Sequence, residues 1–161
     1  MKLTHKYLLG ALWYNKRTGH FKWKRNSPRR KRGDVAGSLH THGYIHIKIL
    51  NREYKGHRLA WFYVTGIMPE EDVEHKNLIK HDNKWKNLRL ADDFLNQANT
   101  RLRINNTSGF KGVTRRPNGK WRVRVGSHNK RFHLGDFDDP IAGYQAYKKR
   151  AKELFGEFAR V

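Results

Sequence analysis

Glu74 and His75 stand side by side in the stretch VEHKNLIKHDNKWKNLRLADDFLNQANT (73–100), and asparagines follow at 77, 83, 87, 96 and 99. Phosphodiester hydrolysis needs such a set. An attacking water must lose a proton, which a neutral histidine with a pKa near about 6.5 can take. A divalent cation must offset charge on the scissile phosphate and the leaving oxygen. Magnesium keeps several of its waters, so one carboxylate and one amide oxygen suffice to hold it. On this reading His75 is the general base and Glu74 and Asn96 supply the metal oxygens. Asn87 hydrogen-bonds across the loop and fixes His75. One magnesium or manganese ion per site is expected. Asn77, Asn83 and Asn99 read as loop and cap residues, since asparagine tolerates turn geometry. His57 reads equally well as a structural or a functional histidine, and His81 as a phosphate contact.

These positions are far apart in sequence, so a hairpin followed by a helix must gather them. DVEHK reads as a strand, NLIKHDNKWK as a long loop and NLRLAD as the return strand. DDFLNQANTRLR reads as a helix with Asp92 or Asp93 as N-cap. Adjacent strand residues point to opposite faces, so Glu74 and His75 cooperate only where the strand end is distorted. Upstream, residues 11–25 read as two short strands around a turn, and 43–50 as a strand with Ile45, Ile47 and Ile49 on one face. NREYKG reads as a turn and return strand. HRLAWFYVTG, 57–66, reads as a mostly apolar helix stopped by Gly66 and Pro69.

The chain of 161 residues carries 35 basic and 14 acidic side chains, a formal charge of +21. Such a balance calls for a polyanion, most often nucleic acid. The charge is uneven: 14 basic against 2 acidic residues in 1–57, 8 against 7 in 58–104, and 13 against 5 in 105–161. Two basic flanks therefore bracket a nearly neutral centre that holds the chemistry-bearing residues. There is no cysteine, which excludes disulfides, thiolate catalysis and cysteine-based zinc sites. No apolar run reaches the roughly 20 residues that span a bilayer. The N-terminus has no small-residue cleavage site, so no signal peptide is expected.

The order HRLAW…VTG…VEHKNLIKHDNKWKNLRLA…NQANT resembles the HNH endonucleases, in the homing-endonuclease branch common in phages. The resemblance covers about residues 7–104 and implies a ββα-metal fold. It implies His75 as general base, Asn87 as the loop-fixing residue, and Asn96 as a metal ligand, with Glu74 in place of the aspartate usual in that family. The longer arm moves the carboxylate outward by roughly 1.5 Å, against a cation with strict octahedral demands.

The flanks bind, on this reading. Residues 24–33 hold Lys24, Arg25, Arg29, Arg30, Lys31 and Arg32, and read as an element that tracks a phosphate backbone. Beyond a polar boundary at 104–110, three strands and a helix follow, the helix capped by Asp138 or Asp139 with Pro140 at its start. Ile141, Tyr144, Ala151, Leu154, Phe155 and Phe158 recur at helical spacing and are expected on the sheet. Trp121, Val123 and Val125 alternate with Lys120, Arg122 and Arg124, and Arg115 or Arg116 and Arg131 extend the cationic face. SGFKGV, KWRVRV, HLGDF and FGEFA in that order resemble the plant ethylene-response-factor (APETALA-type) DNA-binding domain, over 105–161 nearly end to end. The resemblance implies base or phosphate contacts by Arg115, Arg116, Lys120, Trp121, Arg122, Arg124 and Arg131.

The expected protein is thus α+β, with an HNH ββα-metal nuclease module over 1–104 and a small three-stranded antiparallel sheet packed on one helix over 105–161. Its expected activity is site-directed, metal-dependent endonuclease cutting of double-stranded DNA, by a monomer or weak dimer in a bacterial cytoplasm, encoded by a phage or prophage. A non-catalytic DNA-binding regulator with a decayed site is one rival reading. A basic RNA- or ribosome-binding protein is the other.

Overall fold

The computed structural model describes residues 2–92, 95, 98–127 and 130–161, and the chain divides into two compact units, 1–91 and 92–161. The division falls ahead of the expected boundary at 104 because residues near 98–100 pack with the second unit. Ala98 lies in the second core, and the Lys111 ammonium donates to the carbonyls of Ala98 (2.7 Å) and Thr100 (3.1 Å).

The first unit begins with a helix that hydropathy alone did not predict, α1 (His5–Ala11). Seven residues cannot hold a helix unaided in water. Here Thr4 caps it, Leu8 is fully buried, and His5 donates to the Tyr63 carbonyl at 3.0 Å. β1 (Leu12–Tyr14), β2 (Phe21–Trp23) and β3 (Val35–Ala36) form one antiparallel sheet, with Leu12, Tyr14, Phe21 and Trp23 facing inward. β4 (Ser38–Leu39), β5 (Ile45–Ile49) and β6 (Arg52–Lys55) form the next. The β5–β6 turn places Leu50 and Asn51 both at positive φ (52° and 58°), the backbone of a tight two-residue hairpin. α2 (Gly56–Thr65) follows directly and buries His57, Leu59, Ala60 and Phe62, then stops at left-handed Gly66. Arg58 on α2 donates to the carbonyls of Pro69 (2.5 Å) and Glu71 (3.0 Å), which sets the entry into β7 (Asp72–His75). β7 pairs with β8 (Leu88–Ala91), Glu74 opposite Arg89 and His75 opposite Leu88. Val73 and Leu88 close the core around Leu8, Leu12, Ile47 and Leu59.

In the second unit Leu95 and Ala98 are helical, and the Leu95 amide donates to Asp92 Oδ1 at 2.7 Å; residues 93, 94, 96 and 97 of the expected helix lie outside the described residues, and its expected second half, 99–103, is turn and irregular chain instead. β9 (Val113–Arg115), β10 (Trp121–Ser127) and β11 (Lys130–Phe137) make an antiparallel sheet, ordered β11–β10–β9. α3 (Pro140–Phe155) packs on it. Asp139 is the cap, accepting from the amides of Ile141 and Ala142. The buried stripe of α3 is Gly143, Tyr147, Ala151 and Phe155. Ile141, expected on the sheet, is 57% exposed. A stripe with a four-residue step starting at 143 turns position 141 to the far side of the helix.

Candidate active site

His75 ends β7 and is 5% exposed. Its Nε2 lies 2.9 Å from Asn83 Oδ1. Burial lowers the His75 pKa, partly opposed by the Asn83 hydrogen bond and the Asp82 charge, so the ring is neutral at pH 7. Tilted and edge-on rings surround it: His57 at a centroid distance of 4.9 Å and Tyr44 at 6.1 Å. His57 is itself buried, its Nδ1 has no hydrogen-bond partner among the described residues, and its pKa is pushed down to about 3 by burial and then by His75 and Lys55. The ammonium groups of Lys55 and Lys80 each lie 5.0 Å from the Tyr44 ring centre. Positive charge therefore gathers at the tyrosine ring that adjoins the neutral His75 imidazole, a setting that favours an anion.

Glu74, one residue before His75, is paired with Arg89 across the hairpin, and both side chains are about nine-tenths buried. Asn87 sits in a 3-10 turn (Trp85–Asn87) and is buried. Its Nδ2 donates to Asn77 Oδ1 (3.0 Å) and to the Asp82 carbonyl (2.7 Å), and its Oδ1 accepts from the Asn77 amide (3.0 Å). These three bonds close the loop 77–82 on itself. Asp82 is drawn in too: burial works to raise its pKa, but hydrogen bonds from Lys84 and Asn77 outweigh that and lower it. Asn96, expected to supply the second metal oxygen, lies outside the described residues. Among the described residues no group of three or more His, Cys, Asp or Glu side chains is arranged to hold a metal ion. A carboxylate is the kind of donor a hard cation takes, and any cation held at Glu74 would share that carboxylate with Arg89.

Three neighbours of His75 have no role that sequence reasoning assigns, Asn83, His57 and Tyr44, and neither has Tyr14, which contacts Asn83. Asn83, a loop residue by its spacing, is 2% exposed. Tyr14 Oη donates to its carbonyl at 2.6 Å. One signal was available for His57, a polar residue opening an otherwise apolar helix. Nothing in the spacing distinguishes Asn83 from the other asparagines.

In the first basic flank, the loop at 26–34 is held by its own hydrogen bonds. Ser27 and Arg30 exchange both backbone hydrogen bonds, so Pro28 and Arg29 form the tip of a tight turn. Asn26 Oδ1 accepts from the Arg32 amide (2.7 Å) and Asp34 Oδ2 from the Lys31 amide (2.6 Å). The Arg30 guanidinium lies 3.4 Å from the Trp23 ring centre and that of Arg32 5.2 Å from Trp13.

In the second unit the register puts Arg122 opposite both Thr114 and Asp136, and Arg124 opposite His133, on the face away from α3. Asp136 binds Arg116 (2.8 Å), His133 (3.1 Å) and, more loosely, Arg122 (3.7 Å); the Arg116 bond comes first in holding its carboxyl below the usual range. Arg124 and Arg131 have no side-chain partner among the described residues. Of the two residues offered for this face, Arg116 reaches it. Arg115 pairs with Trp121 and lies 5.7 Å from its ring centre, on the side that carries Val113 and Val123. Lys120 pairs with Asp138 at 3.2 Å.

Residues 54–97 match the family model described as HNH endonuclease. The match spans β6, α2, β7, the site loop and β8, and it supports an HNH nuclease. No curated protein and no solved structure matches the chain.

Proposed function

We propose that this chain is a homing-type endonuclease that hydrolyses phosphodiester bonds of double-stranded DNA. The first unit cuts, and the second reads the target like an ethylene-response-factor domain. The observation that carries the reading is a buried, neutral His75 at a strand end, with an acid beside it, inside a segment that matches HNH endonucleases. His75 takes the proton of the attacking water while the oxygen bonds to phosphorus and the sugar oxygen leaves. Lys55 and Lys80 lend positive potential to the approaching phosphate. Asn87 holds the loop that carries Lys80. Glu74 and Asn96 would hold a magnesium or manganese ion, which when bound offsets negative charge on the phosphate. Arg29, Arg30, Lys31 and Arg32 follow the phosphate backbone. Arg116, Arg122, Arg124 and Arg131 face the major groove, with Arg115, Lys120 and Trp121 at its margin.

The supporting test is nicking of supercoiled plasmid carrying the chain's own genomic locus, with and without magnesium. Magnesium-dependent nicking at a mapped position supports the reading. Sequence-specific binding with no cutting in either magnesium or manganese supports the second reading, a DNA-binding regulator. The Glu74–Arg89 pair is what favours that alternative, because a cation already occupies the carboxylate.

A further inference from the structure

We infer that Asn83 is a positioning residue for His75: it fixes the imidazole as the Nε2–H tautomer and so makes Nδ1 the basic nitrogen. The inference deepens the proposed endonuclease reading and, for its catalytic consequence, rests on it. The bond joins a ring nitrogen to an amide oxygen at 2.9 Å. An amide oxygen has lone pairs and no proton, so the ring nitrogen must donate. A neutral imidazole holds one proton, and here it sits on Nε2. The lone pair that can accept a proton from water is then on Nδ1. The opposite tautomer would set two lone pairs against each other within a buried site, a cost of about 1–3 kcal/mol for the unmet groups.

The backbone of Asn83 is held in place beside His75. Tyr14 Oη donates to its carbonyl at 2.6 Å, and burial raises the Tyr14 pKa, so the phenol keeps its proton. The next turn is tied to the N-terminal hairpin, the Trp85 amide donating to the Lys16 carbonyl at 3.0 Å. Gly19, at φ 78°, lies so close that a Cβ there would stand 2.5 Å from the Asn83 carbonyl carbon. Gly56, which opens α2, would place a Cβ 2.7 Å from Asn83 Nδ2. Two segments distant in sequence, the β1–β2 hairpin and the start of α2, thus crowd Asn83 against His75. The hairpin of the first basic flank is thereby part of the support of the candidate base.

The test uses the full chain. Nitrogen-15 NMR of the His75 ring reads its tautomer directly, and plasmid nicking at saturating protein reads the rate. The wild type is expected to show Nε2–H. Asn83→Leu, close to asparagine in volume but without the acceptor, is expected to lose that tautomer preference and to slow nicking by about a hundredfold, with duplex affinity unchanged within about threefold. Asn83→Asp keeps an oxygen acceptor and is expected to keep the Nε2–H signature. A wild-type ring that is Nδ1–H overturns the inference, and so does Asn83→Leu that keeps Nε2–H and the wild-type rate. If Asn83→Leu fails to fold, the wild-type and Asn83→Asp spectra still decide. The tautomer is read without cutting, so a wild type that never nicks DNA defeats the endonuclease reading while leaving the His75–Asn83 assignment to its own evidence.

Discussion

Glu74 and Arg89 stand directly opposite one another in the β7–β8 hairpin, and their side chains form an ion pair that is about nine-tenths buried. Such a pair is costly to half-remove, since the surviving charge loses the cation opposite it in a poor solvent. Arg89→Met should therefore lower the unfolding free energy of the first unit by about 3–5 kcal/mol, read from the urea midpoint. A loss below about 1 kcal/mol would mean that Glu74 finds another cation or water. Glu74→Gln should cost stability too and remove most of the magnesium-dependent nicking. Full activity in Glu74→Gln would move the acidic ligand elsewhere, Asp72 being the nearest acid in sequence.

His75→Ala should abolish nicking while duplex affinity stays within a few fold, because the cationic groups that draw in the phosphate are other residues. Gel-shift titration beside the nicking assay separates the two effects. Affinity that collapses together with activity would make His75 a structural residue and end the assignment.

His57 gives the first unit a pH dependence of known sign. Its folded-state pKa is depressed to about 3, against an ordinary value of 6.5, by burial and by the cationic and imidazole groups around it: His75, Lys55, Arg58 and His46. Below pH 6.5 the unfolded chain takes up a proton that the folded one refuses. Stability is therefore full above 6.5 and falls as the pH drops toward 3, with a slope near 1.4 kcal/mol per pH unit from this group. The loss between pH 6.5 and 5 should be about 2 kcal/mol from His57 alone. His57→Phe should flatten that part of the curve in urea titrations at successive pH values. An unchanged curve would mean that the ring is solvated in solution.

The two basic flanks should show in salt dependence. A protein that neutralises roughly 6–10 phosphates loses about a thousandfold or more in affinity between 50 and 200 mM salt. The full chain should lie in that range, and removing 92–161 should flatten the slope and remove sequence preference. The same slope and preference without that unit would refute the division of labour.

Asp136 holds Arg116 and His133 and draws in Arg122 on the open face of the second sheet. Asp136→Asn should free these cations, raising affinity for random duplex severalfold and cutting discrimination in favour of the cognate site by about tenfold. Competition binding with cognate and scrambled duplexes measures both. Unaltered discrimination would mean that the clamped residues read no bases, leaving that task to Arg124 and Arg131.

How much of the fold was readable in the chain depends on the range of the interaction concerned. β1, β2, β5, β6, α2, β7 and β8 were legible from alternation, apolar runs and glycine stops, which are local signals. The adjacency of Glu74 and His75 and the loop asparagines were legible for the same reason. α1 was not, because a helix this short exists only through Leu8 and the Tyr63 carbonyl, both tertiary contacts. The exposed position of Ile141 was missed because periodicity gives the step of a buried stripe but not its phase, which the sheet sets.

The sequence by itself determined the chemistry on offer: a polyanion partner, a candidate base beside an acid, and two cationic flanks around a near-neutral centre. Only the tertiary structure decided which asparagine meets His75, that Arg89 claims Glu74, and that Arg116 rather than Arg115 shares a face with Arg122. Hydrogen bonds and ion pairs act over a few ångströms between residues 8 to 20 or more positions apart. Their partners are chosen by which backbone segments the core brings together, and residue spacing carries no record of that choice.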